Sequence, residues 1–403
     1  MDSIICKILD KNVWIEYLEF KKKQSSFTEK ELKELEIYIE NEFYLEIANK
    51  IVNSNYTFSI PEKHLINKIN KESKRVVYSY NYTENMILKV ISYLVTKKYD
   101  DRYSDNLYSF RRKLNTKDAI KKLANTKELN KLYGYKVDIA NYFNSVNIDI
   151  LLNKLNIFFK DDVLLFNFLK NILVNNKVIF NKKIITEEKG IMAGVPISSF
   201  LANIYLQDID DFFYKENVLY IRYSDDIILF VDKEKIQKYI DKLNELIKKN
   251  KLELNEEKIK YINPKEKWDF LGFSYENGVI DISNIAKKKI KGKIKRACRK
   301  LRMWMLKKNA SKERAISAVI RKFNKKFFMK ENNDELTWCL WYFPVINTSK
   351  SLKEIDNYMQ NSLRYIATGR YTKKNYNLRY EELKKLGYRS LVNEYYKLKK
   401  GRT

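Results

Sequence analysis

LYIRYSDDIILFV, residues 219–231, sets two apolar runs on either side of the polar tetrad Tyr223-Ser224-Asp225-Asp226. Runs rich in β-branched and aromatic residues around a short polar break read as a β-hairpin. Two adjacent carboxylates in that break cannot both be buried and charged without a counter-ion. Because side chains alternate along a strand, one of the pair faces a site and the other supports it. A solvated Asp-Asp turn is the plain alternative. A third carboxylate in a matching setting weighs against it: Asp138 closes the short apolar strand of KVDIANYF, residues 136–143. Neighbouring strands of one sheet would bring Asp138 near Asp225. Hard carboxylates on adjacent strand ends suit Mg²⁺ and leave ligand positions for phosphate and water. Two such ions, with Mn²⁺ as a substitute, stabilise both the attacking and the leaving oxygen of a phosphoryl transfer.

Outward from the hairpin, Asp232–Lys251 returns to helical spacing, and KWDFLGFSYENGVIDI (267–282) reads as a second hairpin turning at Asn277-Gly278. Upstream, YGYKVDIANYF (133–143) is a strand, a turn and the start of a helix. The order strand–helix–strand–strand–helix–strand fits an α+β domain with helices on one side of a small antiparallel sheet. Tyr82–Lys98 predicts a helix, and Phe27, Leu32, Leu35, Ile39, Phe43 and Ile47 predict one amphipathic helix over 27–52. Pro61 is expected to end a helical or turn segment. After Ile285 the chain becomes helical and basic, with Ile290, Ile294, Cys298, Leu301 and Met305 at helical spacing.

Composition narrows the chemistry. Among 403 residues there are 79 Lys+Arg against 51 Asp+Glu, a formal charge of +28. That surplus suits a polyanion, either nucleic acid or an anionic membrane surface. It is uneven: 286–330 holds 19 Lys/Arg and one acid, Glu313. With 45% apolar residues the chain can bury a core. One histidine (His64) and three scattered cysteines exclude a zinc finger, a Cys/His catalytic pair and a disulfide framework. Few cysteines, no apolar leader in Met1–Asp10 and no run long enough to span a bilayer lead us to expect a cytoplasmic protein without membrane contact.

From about Ser59 to Tyr275 the sequence resembles reverse transcriptases, in particular the bacterial enzymes related to those of group II introns and retrons. SKRVVYSY (73–80) looks like the fingers segment that meets the incoming triphosphate. YSDNLYSFRRKLNTKDAIKKL (103–123) is similar to the family's S-x-G-F-R-x-G-x-S block. DIANYFNSV (138–146) and YSDD match the two palm motifs, KGIMAGVPISSFLANIYL (189–206) matches Q-G-x-P-x-S-P-x-L-A-N, and LNEEKIKYI followed by FLGF (270–273) resembles the last two.

The resemblance implies a right-hand polymerase fold: an N-terminal helical extension (1–58), fingers and palm (59–285), a basic helical thumb (286–333) and a C-terminal helical RNA-binding region (334–403). It implies metal ligation by Asp138, Asp225 and the Ile139 carbonyl, with Asp226 in support. Phe143 stands where the family places the aromatic that collides with a 2′-OH and selects dNTPs; a core Phe is the alternative. Lys74 and Arg75 would neutralise the triphosphate, Lys258 would protonate departing pyrophosphate, and Phe270, Leu271, Gly272 and Phe273 would grip the primer. Ala193 stands where the family has Gln and Ser199 where it has Pro, while Gly194 still lets backbone approach the template–nucleotide pair.

The tail 355–400 resembles the C-terminal part of defence-associated bacterial reverse transcriptases, which copy a partner non-coding RNA and oppose phage. The expected partners are therefore a structured non-coding RNA template, a primer–template duplex and dNTPs. Arg370, Tyr371, Lys373 and Lys374 form the expected RNA-contacting loop. A retron or group II intron-like enzyme, a non-catalytic RNA-binding maturase and a polymerase primed on a protein hydroxyl remain open.

Overall fold

The computed structural model describes residues 3–23, 28–67, 74–187, 190–328, 337–370 and 378–401. The chain forms two compact units. The first comprises Met1–Lys22, Ser26–Ala119 and Lys131–Pro264; the second comprises Lys23–Ser25, Ile120–Asn130 and Lys265–Thr403. This division falls at 264/265, ahead of the 285/286 boundary expected from the sequence.

In the first unit, β1 (Glu62–Asn67) and β2 (Lys74–Ser79) pair antiparallel. β3 (Tyr133–Asp138) opens a separate sheet. The hairpin of β4 (Lys177–Phe180) and β5 (Lys183–Thr186) extends the first sheet to the order β2-β1-β4-β5. β6 (Leu219–Tyr223), β7 (Asp226–Val231) and β8 (Lys260–Ile262) complete the second, in the order β6-β7-β3-β8, antiparallel throughout. β3 is thus central, and its buried side chains join those of β7 against the helices Tyr82–Tyr99, Ser198–Tyr205 and Lys233–Lys249 in one core. The α+β order read from the sequence is present, with the β4–β5 hairpin inserted. That hairpin had a signal, since Asn181-Lys182, both at positive φ, divides two β-branched runs.

Two expectations are corrected. Residues 27–52 do not form one helix: Glu29–Glu40 and Leu45–Val52 are separated by a turn in which Glu42 has φ 53°, and Phe27 lies outside the described residues. The break rotates the apolar stripe, leaving Phe43 59% exposed and seating Tyr44 against Trp14, ring centroids 4.4 Å apart. Pro61 ends no helix. It leads into β1, and its carbonyl accepts from Ile179 N at 2.9 Å.

In the second unit KWDFLGFSYENGVIDI makes a three-stranded meander of β9 (Trp268–Phe270), β10 (Phe273–Glu276) and β11 (Val279–Ile282), in the order β11-β10-β9. It turns at Leu271-Gly272 as well as at Asn277-Gly278. Helices Asn284–Lys307, Lys312–Phe328 and Lys350–Thr368 pack together. The first of them buries Ile290, Ile294, Cys298 and Met305 as the spacing predicts, with Leu301 half-buried. The buried Asp356 carboxylate accepts from Tyr388 Oη, Ser390 Oγ and the amides of Leu391 and Val392, and so fastens Leu391–Lys400 to Lys350–Thr368. No helix among the described residues is long and apolar enough to cross a membrane.

Candidate active site

The β6–β7 hairpin has a two-residue tip, Ser224-Asp225, closed by the pair Tyr223–Asp226. β3 runs alongside β7 in a register that sets Asp138 directly opposite Asp226. Ile139 N donates to the Asp225 carbonyl at 3.1 Å, fixing the tip to the end of β3. One carboxylate oxygen from each of Asp138, Asp225 and Asp226 lies within 4.8 Å of the other two. Asp138 is buried and the other two are half-buried.

This crowding has an electrostatic signature. Burial first, and the neighbouring Asp138 charge second, hold the Asp225 carboxyl above its ordinary range. Burial and the Asp225 charge push Asp226 up to about 6. Like charges directly opposite one another on a sheet repel, and a bound cation is what relieves such a site. The residues present therefore fit a hard divalent ion.

Cations of the chain itself border the group. Leu252–Lys258 is docked on the end of β3: Ala140 N donates to the Glu253 carbonyl and Asn255 N to the Asp138 carbonyl. The docking places Lys258 Nζ 2.7 Å from Asp138 Oδ1. Arg75, exposed on β2, is near enough to favour the ionised form of Asp225, and Lys74 is exposed beside it. Phe143, in the short helix Tyr142–Ser145 that follows β3, is half-buried.

The loop 190–197 is wedged between this helix and β2. Ala193 O accepts from Tyr78 N at 2.7 Å. Gly194 has φ +99°, and a Cβ there would stand 2.8 Å from the Tyr78 carbonyl oxygen. Gly190, at φ +94°, packs on the other side, where a Cβ would stand 2.6 Å from Asn144 Cα. Both positions need glycine for conformation and for space.

A sequence profile of the reverse transcriptase (RNA-dependent DNA polymerase) family matches residues 60–275, more than half of the chain. The chain belongs to the reverse transcriptase family. It is an RNA-directed DNA polymerase by that membership, and its fold is the right-hand polymerase fold. No curated protein matches it in sequence. Among solved structures it is similar to a Candida albicans telomerase in complex with a TWJ fragment of telomeric RNA, at 13% identity over 90% of this chain and 70% of that one, with a TM-score of 0.45. An apo telomerase from Candida tropicalis gives 15% identity over 82% and 68%, with a TM-score of 0.46.

Of the residues singled out in the reverse transcriptase's sequence, Asp138, Ile139, Asp225, Asp226 and Lys258 come together in the first unit. Lys74, Arg75, Phe143, Ala193 and Gly194 lie in the same unit. Phe270, Leu271, Gly272 and Phe273 form the β9–β10 turn of the second unit; both phenylalanines are buried, and Leu271 and Gly272 have φ 49° and 86°. Arg370 is exposed after the helix Lys350–Thr368, while Tyr371, Lys373 and Lys374 lie outside the described residues. Among the tail tyrosines, Tyr388 and Tyr395 are core residues bonded to Asp356 and to the Ile346 carbonyl.

Sequence reading overlooked the ion pair under the hairpin. Arg222, fully buried on β6, donates through Nε and Nη2 to Asp210 at 2.8 and 2.5 Å, and Tyr220 Oη donates to the same carboxylate. The signal was there, since an arginine inside the apolar run LYIRY requires a buried carboxylate partner.

Proposed function

We propose that the chain extends a primer 3′ end with dNTPs on an RNA template at the Asp138/Asp225/Asp226 cluster, with two Mg²⁺ ions. The single observation that carries this reading is the convergence of three carboxylates, from the end of β3, the start of β7 and the turn before it, to within 4.8 Å of one another. Mg²⁺ bound there would activate the primer hydroxyl and stabilise the charge that develops on the departing pyrophosphate. Asp138 and Asp225 are the ligands, with the Ile139 carbonyl, and Asp226 supports them across the β3–β7 pair. Arg75 and Lys74 orient the triphosphate, and Phe143 crowds the sugar 2′ carbon, so that a ribonucleotide fits poorly. Lys258 Nζ holds the proton that pyrophosphate takes on leaving; until the ions bind it is paired with Asp138. Ala193, by contributing only backbone at the usual Gln position, supports the base pair by shape rather than by an amide contact.

The template, on this reading, is a structured non-coding RNA held by the basic helices after residue 285 and by the tail, and the cDNA serves defence against phage in the cytoplasm. Supporting it are the tail's resemblance to defence-associated enzymes, the altered Gln block and the lack of His/Cys ligands for an appended endonuclease. The test is to sequence the nucleic acid that copurifies with the protein. One dominant structured RNA with DNA complementary to part of it is expected. A heterogeneous RNA population with no complementary DNA would overturn the non-coding RNA assignment.

A further inference from the structure

The tip residue Ser224 has φ 60°, a left-handed conformation at the first position of a two-residue turn, where glycine is favoured. A non-glycine residue stays there only where its surroundings over-determine it. Ser224 is so determined, at both of its backbone polar groups. Its N–H donates to Ser109 Oγ at 2.8 Å. Its carbonyl accepts from Arg222 Nη1 at 3.3 Å. Ser109 Oγ donates in turn to Asn203 Oδ1 at 3.2 Å, and Asn203 Nδ2 returns a bond to the Ser109 carbonyl at 2.9 Å. Arg222 Nη2 reaches the Asn203 carbonyl at 3.1 Å, so the two arms close on each other. Ser109, Asn203, Arg222 and Asp210 are each no more than 1% exposed. Ser109 is delivered by the segment 106–108, which pairs with Arg222: Arg222 N donates to the Asn106 carbonyl and Tyr108 N to the Arg222 carbonyl.

We infer that Ser109, Asn203 and the Arg222–Asp210 pair are positioning residues that hold Ser224 in its strained conformation and thereby aim the Asp225 carboxylate at Asp138. None of the four touches the carboxylate cluster; they act through the backbone of the tip. The inference rests on the metal-binding role proposed for Asp225. Buried hydrogen-bonded networks of this kind fix geometry because an unmade bond inside them is costly. Displacing a catalytic group by a fraction of an ångström lowers turnover without loosening substrate binding elsewhere.

Ser109→Ala removes the acceptor for Ser224 N–H and leaves the Arg222–Asp210 pair intact. Arg222→Lys keeps a charge beside Asp210 but cannot reach both carbonyls, and serves if Ser109→Ala does not fold. Each is compared with wild type, Ser109→Thr and Asp225→Asn in primer extension and in Mn²⁺ binding followed by electron paramagnetic resonance. For both network variants we expect kcat to fall about tenfold or more, the dNTP KM to stay within about twofold, and Mn²⁺ to bind about fivefold more weakly. Ser109→Thr, which keeps the hydroxyl, should restore both. Folded network variants with wild-type kcat and Mn²⁺ affinity, alongside an inactive Asp225→Asn, would overturn the positioning role alone. An Asp225→Asn that keeps activity and Mn²⁺ binding would overturn the site reading beneath it.

Discussion

Asp226 carries a cost that the fold accepts. Its carboxyl titrates near 6 in the folded protein against an ordinary 3.8, because it is buried beside Asp225. Between those values the folded state binds more protons than the unfolded one, so this group's share of stability is present below pH 4 and is lost as pH rises through 6. A shift of this size corresponds to about 3 kcal/mol. Asp226→Asn cannot ionise, so without metal at pH 7.5 it should melt higher than wild type, with the gap vanishing near pH 4. Mg²⁺ should narrow the gap by stabilising wild type more than the variant, which keeps Asp138 and Asp225 but lacks the third charge. Thermal melts across pH 4–8, with EDTA and with Mg²⁺, check this; a gap that does not depend on pH would contradict it. A substitution that stabilises while it inactivates is the usual signature of a functional carboxylate cluster.

At the scale of elements, the β6–β7 hairpin, β3 and the helix after β7 were legible because their apolar periodicities are strong and their breaks short. Asp138 and Asp225 were legible because each ends such a run. The broken helix over 29–52 was not, since its period continues through the turn and only the packing of Tyr44 on Trp14 shows the rotation. Nor was the clamp on loop 190–197, which depends on two backbones meeting across more than a hundred residues of sequence. That clamp is testable at Gly194. Alanine there meets the Tyr78 carbonyl oxygen at 2.8 Å, whereas at Gly278, φ +83°, it meets nothing within 4 Å. Gly278→Ala should cost only the left-handed strain, about 1 kcal/mol. Gly194→Ala should cost more, on the order of 1–3 kcal/mol beyond that strain, and should slow nucleotide addition as well. Equal melting losses with full activity in both variants would show that the loop is not held against β2.

For the molecule as a whole, the charge read from the sequence has a structural setting. Lys288, Lys289, Lys295, Arg296, Arg299 and Lys300 are exposed on one side of the helix Asn284–Lys307. Lys287 and Lys291, nearer its buried face, are spent on Glu354. A solvated basic face on a packed amphipathic helix suits sequence-independent phosphate contact. Acids gathered at a strand tip in one unit and bases along a helix in the other are the division of labour expected of a polymerase. The central claim is that the acids, not the basic surface, carry the chemistry. Its most direct test is Mg²⁺-dependent dNTP incorporation on a primed RNA by wild type and by Asp225→Asn/Asp226→Asn, with binding of the same RNA measured in parallel. Wild type should extend the primer and lose this with EDTA, and the double variant should bind the RNA equally well and add nothing. Undiminished extension by the double variant, or no extension by wild type on any RNA it binds, would contradict the account.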